Sequence, residues 1–508
     1  MGISKRKALQ LTAILFTVVV VLALMVFLIK VYRYVQAPDK KAFDFIGPEV
    51  ALIVKVDNFK AIKDLEQSEQ NFLPFILLPE NHNQLQSFIR FTEGLSFLYD
   101  IAEECPLSIC FYPNEKSASM VFMVEVTKKY DREIQSLFTY LKKRHHAKSL
   151  AYKEDKVFQI HTGKNILYYV YTHGLLLFGF DQKTISMSLN QSKQPDKGIS
   201  KELTDLSTTL SASRPFHLLI HHPVFHRYLT NKNEQLIENH LLQSMAFCEW
   251  SALDMTFMDQ KLIFSGYTIL NPLRKESFFY NNNKNTSINL HFFPLSTSRI
   301  LAWQGDTYSR FSHLKSLNAG SQEDFFSMLK PNSMCFFQTQ GDTASSFLML
   351  KSDDTEEAAF HLFNCVGTEF VNNAYVYDTF YVNTSMVGGI DIPNFFLPFL
   401  PLTSDLKRLK AYTYIEPYFI FSDRNTLIAE FIMALKTEDR LSNDSVFTAF
   451  DAYFPNKANF VYYKKLNTSN ATSVNFGHLQ SKVKAYRLQI NKHKKNIMFF
   501  SFVVDLNS

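Results

Sequence analysis

Two stretches of this chain, residues near 50–270 and near 298–506, run through the same series of apolar strands and helices. A chain that repeats a series of this length is expected to build one fold twice. Side chains common to both copies then serve the scaffold, and function is sought where the copies differ. Ala51–Ile62 reads as a short buried strand, a turn and the start of a helix, and Arg299–Phe311 follows the same plan. The apolar runs Ser108–Tyr112 and Met120–Val126 are answered by Met334–Gln338 and Phe347–Lys351. An amphipathic helix follows each pair. Ile134, Leu137, Phe138 and Leu141 form the first stripe, and Ala359, Leu362, Phe363 and Val366 the second, both spaced i, i+3, i+4, i+7 and both expected in the core. The offset between these helices equals that between Cys110 and Cys335, with no gap needed.

Ile166–Asp181 matches Ala411–Asp423 as a hairpin that turns at Gly174 or Pro417 and ends on an aspartate suited to cap the next helix. A further strand, Pro215–His221, answers Asn459–Tyr463, and the closing hairpins are Ala252–Leu270 and Ala485–Leu506. Pro215–Leu229 repeats the strand–turn–helix shape of Ala51–Ile62, so each half reads as two related pieces. Strands, single helices and hairpins in this order predict an α+β fold of mainly antiparallel sheet. Regular βαβ alternation with Gly-rich turns is missing, which weighs against a doubly wound nucleotide-binding fold. Phenylalanine supplies 49 of 508 residues, and aromatic side chains suit a half-buried pleated surface.

Ahead of the repeat, Ala8 to Ile29 carries no charge and spans about 33 Å as a helix, against about 30 Å of bilayer hydrocarbon. A secretory signal has a shorter apolar region and a small-residue cleavage site. Here the segment runs into Lys30–Val35, which offers neither, so it reads as a retained signal anchor. Its short basic tail (Lys5, Arg6, Lys7) resists translocation, although Lys30, Arg33, Lys40 and Lys41 nearly balance it on the other flank. The expected topology is an N-terminus in the cytoplasm and the bulk outside, with Tyr32 and Tyr34 at the interface. The organisation is then a tail at 1–7, a transmembrane helix at 8–30, a first α+β domain at 44–272, a polar linker at 273–296 and a second α+β domain at 297–508.

The copies differ most in two apolar, proline-punctuated loops, Asn71–Pro79 and Gly388–Leu402. Proline excludes these stretches from central strands and helix interiors. Phe72, Phe75, Phe395, Phe396 and Phe399 are the candidate contacts for a protein partner or lipid if these loops are exposed, since exposed apolar patches bind one or the other; the alternative is a lid folded onto its own domain.

Catalytic and cofactor patterns are missing from the sequence. It contains no P-loop, GxGxxG, HExxH or GxSxG. Gly388–Gly389 has no phosphate-binding context. His217, His221, His222 and His226 crowd together, but His217 and His221 on a strand stand about 13 Å apart. His222 and His226 share a face only if a helix starts at Pro223, and no nearby carboxylate completes a site, so no metal is expected. Cys105, Cys110, Cys248, Cys335 and Cys365 form no CxxC pair; Cys110 and Cys335 read as core. A net charge of +5 is too small and too dispersed for a nucleic-acid footprint.

The anchor, the opening strand after Gly47–Pro48 and the hairpin from Tyr169 to Asp181 together resemble bacterial single-pass proteins grouped as domain of unknown function 3352. The resemblance implies an envelope protein that is not an enzyme, and it brings no catalytic residues. The leading expectation is a membrane-anchored, extracytoplasmic (periplasmic) binding or scaffold protein. A carrier of lipid or another hydrophobic ligand is the alternative, and an envelope hydrolase a remote one. No cofactor is expected, and the foreseen partners are the membrane, through the anchor, and an envelope protein or lipid.

Overall fold

The computed structural model describes residues 5–36, 38–67, 79–93, 95, 99–113, 118–144, 147–152, 155–162, 165–194, 199–232, 248–271, 286–287, 292–303, 324–326, 329–339, 345–352, 354–373, 380–382, 384–390, 409–437, 439–466, 483–494 and 497–506. They form an α+β protein divided into two compact units. The first comprises Met1–Gln67, Glu80–Tyr112 and Ser117–Thr204, and the second comprises Asp205–Ser508 together with Ser68–Pro79 and Pro113–Lys116.

The first unit begins with the helix Lys5–Gln36. Its stretch Leu15–Tyr32 is apolar, wholly uncovered and, by length and composition, able to cross a membrane. Seven strands follow among the described residues: β1 (Leu52–Val56), β2 (Leu107–Pro113), β3 (Ala118–Glu125), β4 (Lys148–Tyr152), β5 (Asp155–Thr162), β6 (Asn165–Thr172) and β7 (Leu175–Gly179). They lie side by side in the order β1-β2-β3-β7-β6-β5-β4, and the registered pairs are antiparallel. Helix Pro79–Glu93 covers the sheet by pressing Phe88 flat on Phe122, with ring centroids 4.0 Å apart. Helix Asp131–Arg144 buries Ile134, Leu137 and Leu141, as its stripe predicts. Asp181 caps the helix Gln182–Ser192, accepting from the backbone N–H groups of Lys183 and Thr184.

The β6–β7 turn places His173 and Gly174 at φ of 52° and 82°, the pair of positive angles that a tight two-residue hairpin requires. A Cβ on Gly174 would stand 2.6 Å from the Cβ of Pro38. Gly174→Ala is therefore expected to destabilise the first unit by about 2 kcal/mol, combining left-handed strain with the clash. Thermal unfolding, with faster proteolysis near residue 40, reads the effect.

Fifteen strands among the described residues belong to the second unit. They are β8 (Phe216–His221), β9 (Cys248–Met258), β10 (Lys261–Leu270), β11 (Thr286–Ser287), β12 (Thr297–Trp303), β13 (Leu329–Thr339), β14 (Ser345–Ser352), β15 (Phe380–Val382), β16 (Ser385–Gly389), β17 (Ala411–Ile415), β18 (Tyr418–Ser422), β19 (Lys457–Ala458), β20 (Phe460–Lys465), β21 (Val483–Lys494) and β22 (Ile497–Leu506). The sheet order is β8-β9-β10-β22-β21-β20-β12-β13-β14-β18-β17-β16-β15, with β11 and β19 paired apart. The run from β12 to β15 repeats the order of β1 to β4 in the first unit. Its core packs Phe293, Phe337, Phe347, Phe431 and Tyr463 with aliphatic neighbours, so the abundant aromatic residues fill pleated sheet interiors.

Three particulars depart from the sequence reading. Asp423 does not cap the next helix: Arg424 intervenes at the N-cap of Asn425–Lys436 without a side-chain bond, and Asp423 accepts from the Ser422 hydroxyl instead. Residues 292–296, read as linker, are built into the second unit. Phe293 is fully buried there, and its carbonyl accepts from Leu441 N–H. The compact units divide at Thr204/Asp205 rather than at the polar run near 281–287, because β10 hydrogen-bonds along its length to β22, from Lys261 opposite Asp505 to Ile269 opposite Ile497.

Candidate functional site: an aromatic cleft

In the sheet β15–β18 the alternation of a strand sends successive side chains to opposite faces. Val387 and Ala411 pack with Ile428 and Ile432 of helix Asn425–Lys436 on one face. The other face presents Met386, Tyr412, Tyr414 and Phe419 towards helix Thr355–Asn373. Asp354 starts that helix by accepting from the Glu357 N–H, and Ala358 and Leu362 bury against the body of the unit. Helix and sheet do not close on each other. Between them lies a cleft of about 540 Å³, lined by Ala359, Phe360, Leu362 and Phe363 from the helix and by the four sheet residues named above, with Thr384 and Ser385 at its margin.

Phe360 and Phe363 line this cleft while 62% and 63% exposed. Full burial of a side chain of this size is worth about 1.5–3 kcal/mol, so two adjacent uncovered phenyl rings leave a sizeable gain unrealised. The stripe reading of Phe363 as core is thus corrected: Leu362 is buried, and Phe363 points into the open cleft. In the first unit the same turn of the corresponding helix is closed. There Phe138 rests on Phe158 and Tyr169, at 5.3 Å from each, and Phe158 stands opposite Tyr169 across the β5–β6 pair. Opposite Tyr412 across β16–β17 stands Gly388, where a Cβ would come 2.7 Å from the Tyr412 ring. Glycine at that position removes the ring that fills the first unit's cleft and lets the tyrosine lie across the gap.

The electrostatics of the cleft are those of a greasy surface. Among the described lining residues the ionisable groups are the Tyr412 and Tyr414 hydroxyls, and burial raises the Tyr412 phenol above its ordinary value. The signal for the cleft in the sequence is the Gly388–Gly389 pair inside a strand, since a strand glycine marks a close approach.

The histidines take structural places. His217 and His221 lie on β8, and His217 Nδ1 sits 2.8 Å from Asp254 Oδ1. His221 stacks on Trp250 at 4.3 Å. A helix does begin at His222, but His222 Nε2 faces the Ser251 hydroxyl at 2.7 Å. Among the described residues no group of three or more metal-ligating side chains converges. Cys105, Cys110, Cys248 and Cys335 are buried, and burial raises each thiol. Phe72, Phe75, Phe395, Phe396 and Phe399 lie outside the described residues.

No family model and no curated protein matches the chain. Among solved structures it is similar to TP0453 in crystal forms III and I. The TM-scores are 0.27 and 0.26 at 10% and 9% identity, each covering 46% of this chain and 81% or 80% of the other. Likeness of that degree carries no argument about function.

Proposed function

We propose that this chain is a membrane-anchored, extracytoplasmic binding or scaffold protein of the cell envelope, non-enzymatic, which takes its partner at the aromatic cleft of the second unit. The observation that carries the reading is the uncovered Phe360–Phe363 pair over a cleft whose described lining carries no charged side chain. A volume of about 540 Å³ is within the range of ligand sites. The lining favours a second reading, a carrier whose ligand is a lipid or similar apolar molecule, because an acyl chain needs only apolar walls. The exposed apolar helix supports retention in a membrane with the N-terminus cytoplasmic.

Under the same proposal the two sequence halves are a tandem duplication. Matching strand orders support it, and so does the β10–β22 seam. Ser265 faces Ser501 there, and each strand is the last described strand of its sequence half.

The test is recovery of bound material from the full-length protein purified from membranes, comparing wild type with the double substitution Phe360→Ser, Phe363→Ser. Both sites are exposed, so the stability change is expected to stay within about 0.5 kcal/mol per site. Bound lipid or partner is expected to fall tenfold or more, as loss of about 1.4 kcal/mol or more of contact requires. Co-purified lipid selects the carrier, and a specific protein selects the scaffold. Equal recovery by both proteins rejects the cleft as the binding site.

A further inference from the structure

The segment that joins the anchor to the first unit is a fitted strap. Pro38 packs on Gly174, and Lys40 N–H donates to the His173 carbonyl. The Lys40 ammonium donates to the Ser192 carbonyl at 2.6 Å, at the end of helix Gln182–Ser192, where a cation suits the dipole. Asp39 pairs with Lys128 at 2.9 Å, and Ala42 N–H donates to Glu125 Oε1 at 3.1 Å. Ala42, Phe43, Phe45 and Ile46 are all buried. On the anchor reading, only a few residues separate the apolar span from this strap. From Tyr32 to Gln36 the helix rises about 6 Å, and two further residues reach at most about 7 Å. Pro38, and with it the β6–β7 turn, therefore lies within roughly 13 Å of the end of the apolar span, while the headgroup layer is itself about 5–8 Å thick.

We infer that one end of the first unit, formed by the His173–Gly174 turn and the Lys128–Arg132 segment, is a membrane-facing surface seated on lipid headgroups. The inference rests on the anchor reading above. The chemistry of this end fits: Asp39, Lys128, Asp131, Arg132 and His173 are exposed and of both signs, as zwitterionic headgroups are. Tyr171 braces the surface from behind through its hydroxyl on Asp131 at 2.5 Å. The opposite end of the same strands, at His161 opposite Ile166, stands roughly 20 Å further away.

The experiment reconstitutes the full chain in phosphatidylcholine vesicles carrying a headgroup-linked quencher, with a genetically encoded fluorescent side chain at exposed Arg132 or at exposed His161. Flotation with the vesicles is scored first. With flotation, quenching at 132 is expected to exceed that at 161 roughly threefold or more, given their separation. A flexible Gly-Ser insertion of about 12 residues after Gln36, reaching about 20 Å, is expected to erase the difference. Equal quenching in floating wild-type protein overturns the surface and leaves the anchor standing. Failure to float overturns both.

Discussion

Replacing Phe337 by alanine is expected to destabilise the second unit by about 3–5 kcal/mol, the range for emptying a phenyl ring from a packed core. Phe337 is fully buried on β13, between Ile300 of β12 and Phe347 of β14. Its ring lies parallel to that of Phe347 at 4.6 Å, with Phe293 at 4.8 Å and Phe431 at 5.7 Å. Those partners come from three elements held in place by sheet pairing and a helix, so the site has little freedom to collapse, and the cavity term is retained. In a unit of this size the expected fall in melting temperature is roughly 10 °C. Phe363→Ala is the paired control, within about 0.5 kcal/mol of wild type because its ring is already in water. A control as damaging as Phe337→Ala would mean that the cleft is closed in solution, and the proposed binding surface would fall with it.

These two phenylalanines mark the line between what local sequence reveals and what it does not. Periodicity located both, one on a strand and one on a helix, because alternation and the 3.6-residue repeat are properties of neighbours in the chain. The hairpins at Gly174 and Pro417 and the cap at Asp181 were legible for the same reason. Exposure of Phe363 depends instead on what stands across the sheet. Phe158 fills the place in the first unit, and Gly388 leaves it open in the second, at a sequence distance no helical window reaches. A comparison of the halves position by position, carried from the helices to the strands beneath them, would have singled out Gly388. The failure at Asp423 has a smaller cause, one additional residue, Arg424, between strand and helix. The apolar loop residues Phe395, Phe396 and Phe399 lie outside the described residues, so the cleft stands on Phe360 and Phe363 instead.

The second large effect is an acid instability of the second unit that centres on His222. Burial, with the neighbouring His221 charge, lowers this imidazole to about 3, against about 6.5 in an unfolded chain. Between those values the unfolded chain holds a proton that the folded one does not. Stability is therefore intact above pH 6.5 and is lost as pH falls towards 3, at about 1.4 kcal/mol per pH unit, or about 2.7 kcal/mol from pH 6.5 to 4.5. The physical obstacle is a hydrogen-bonded chain sealed inside the sheet. His222 Nε2 meets the Ser251 hydroxyl at 2.7 Å, and that hydroxyl meets Thr268 at 2.6 Å, with no carboxylate in the chain to stabilise an imidazolium. Nearby Glu249, whose carboxyl burial raises, works in the opposite sense by taking up a proton more readily when folded. The measurement is accordingly a difference: melting temperature against pH for wild type and for His222→Gln, whose amide can keep the bond to Ser251. The variant is expected to stay within about 1 kcal/mol of wild type at pH 7.5 and to lose most of the slope below pH 6.5. Parallel curves would place the acid sensitivity elsewhere and return His222 to an ordinary packing role.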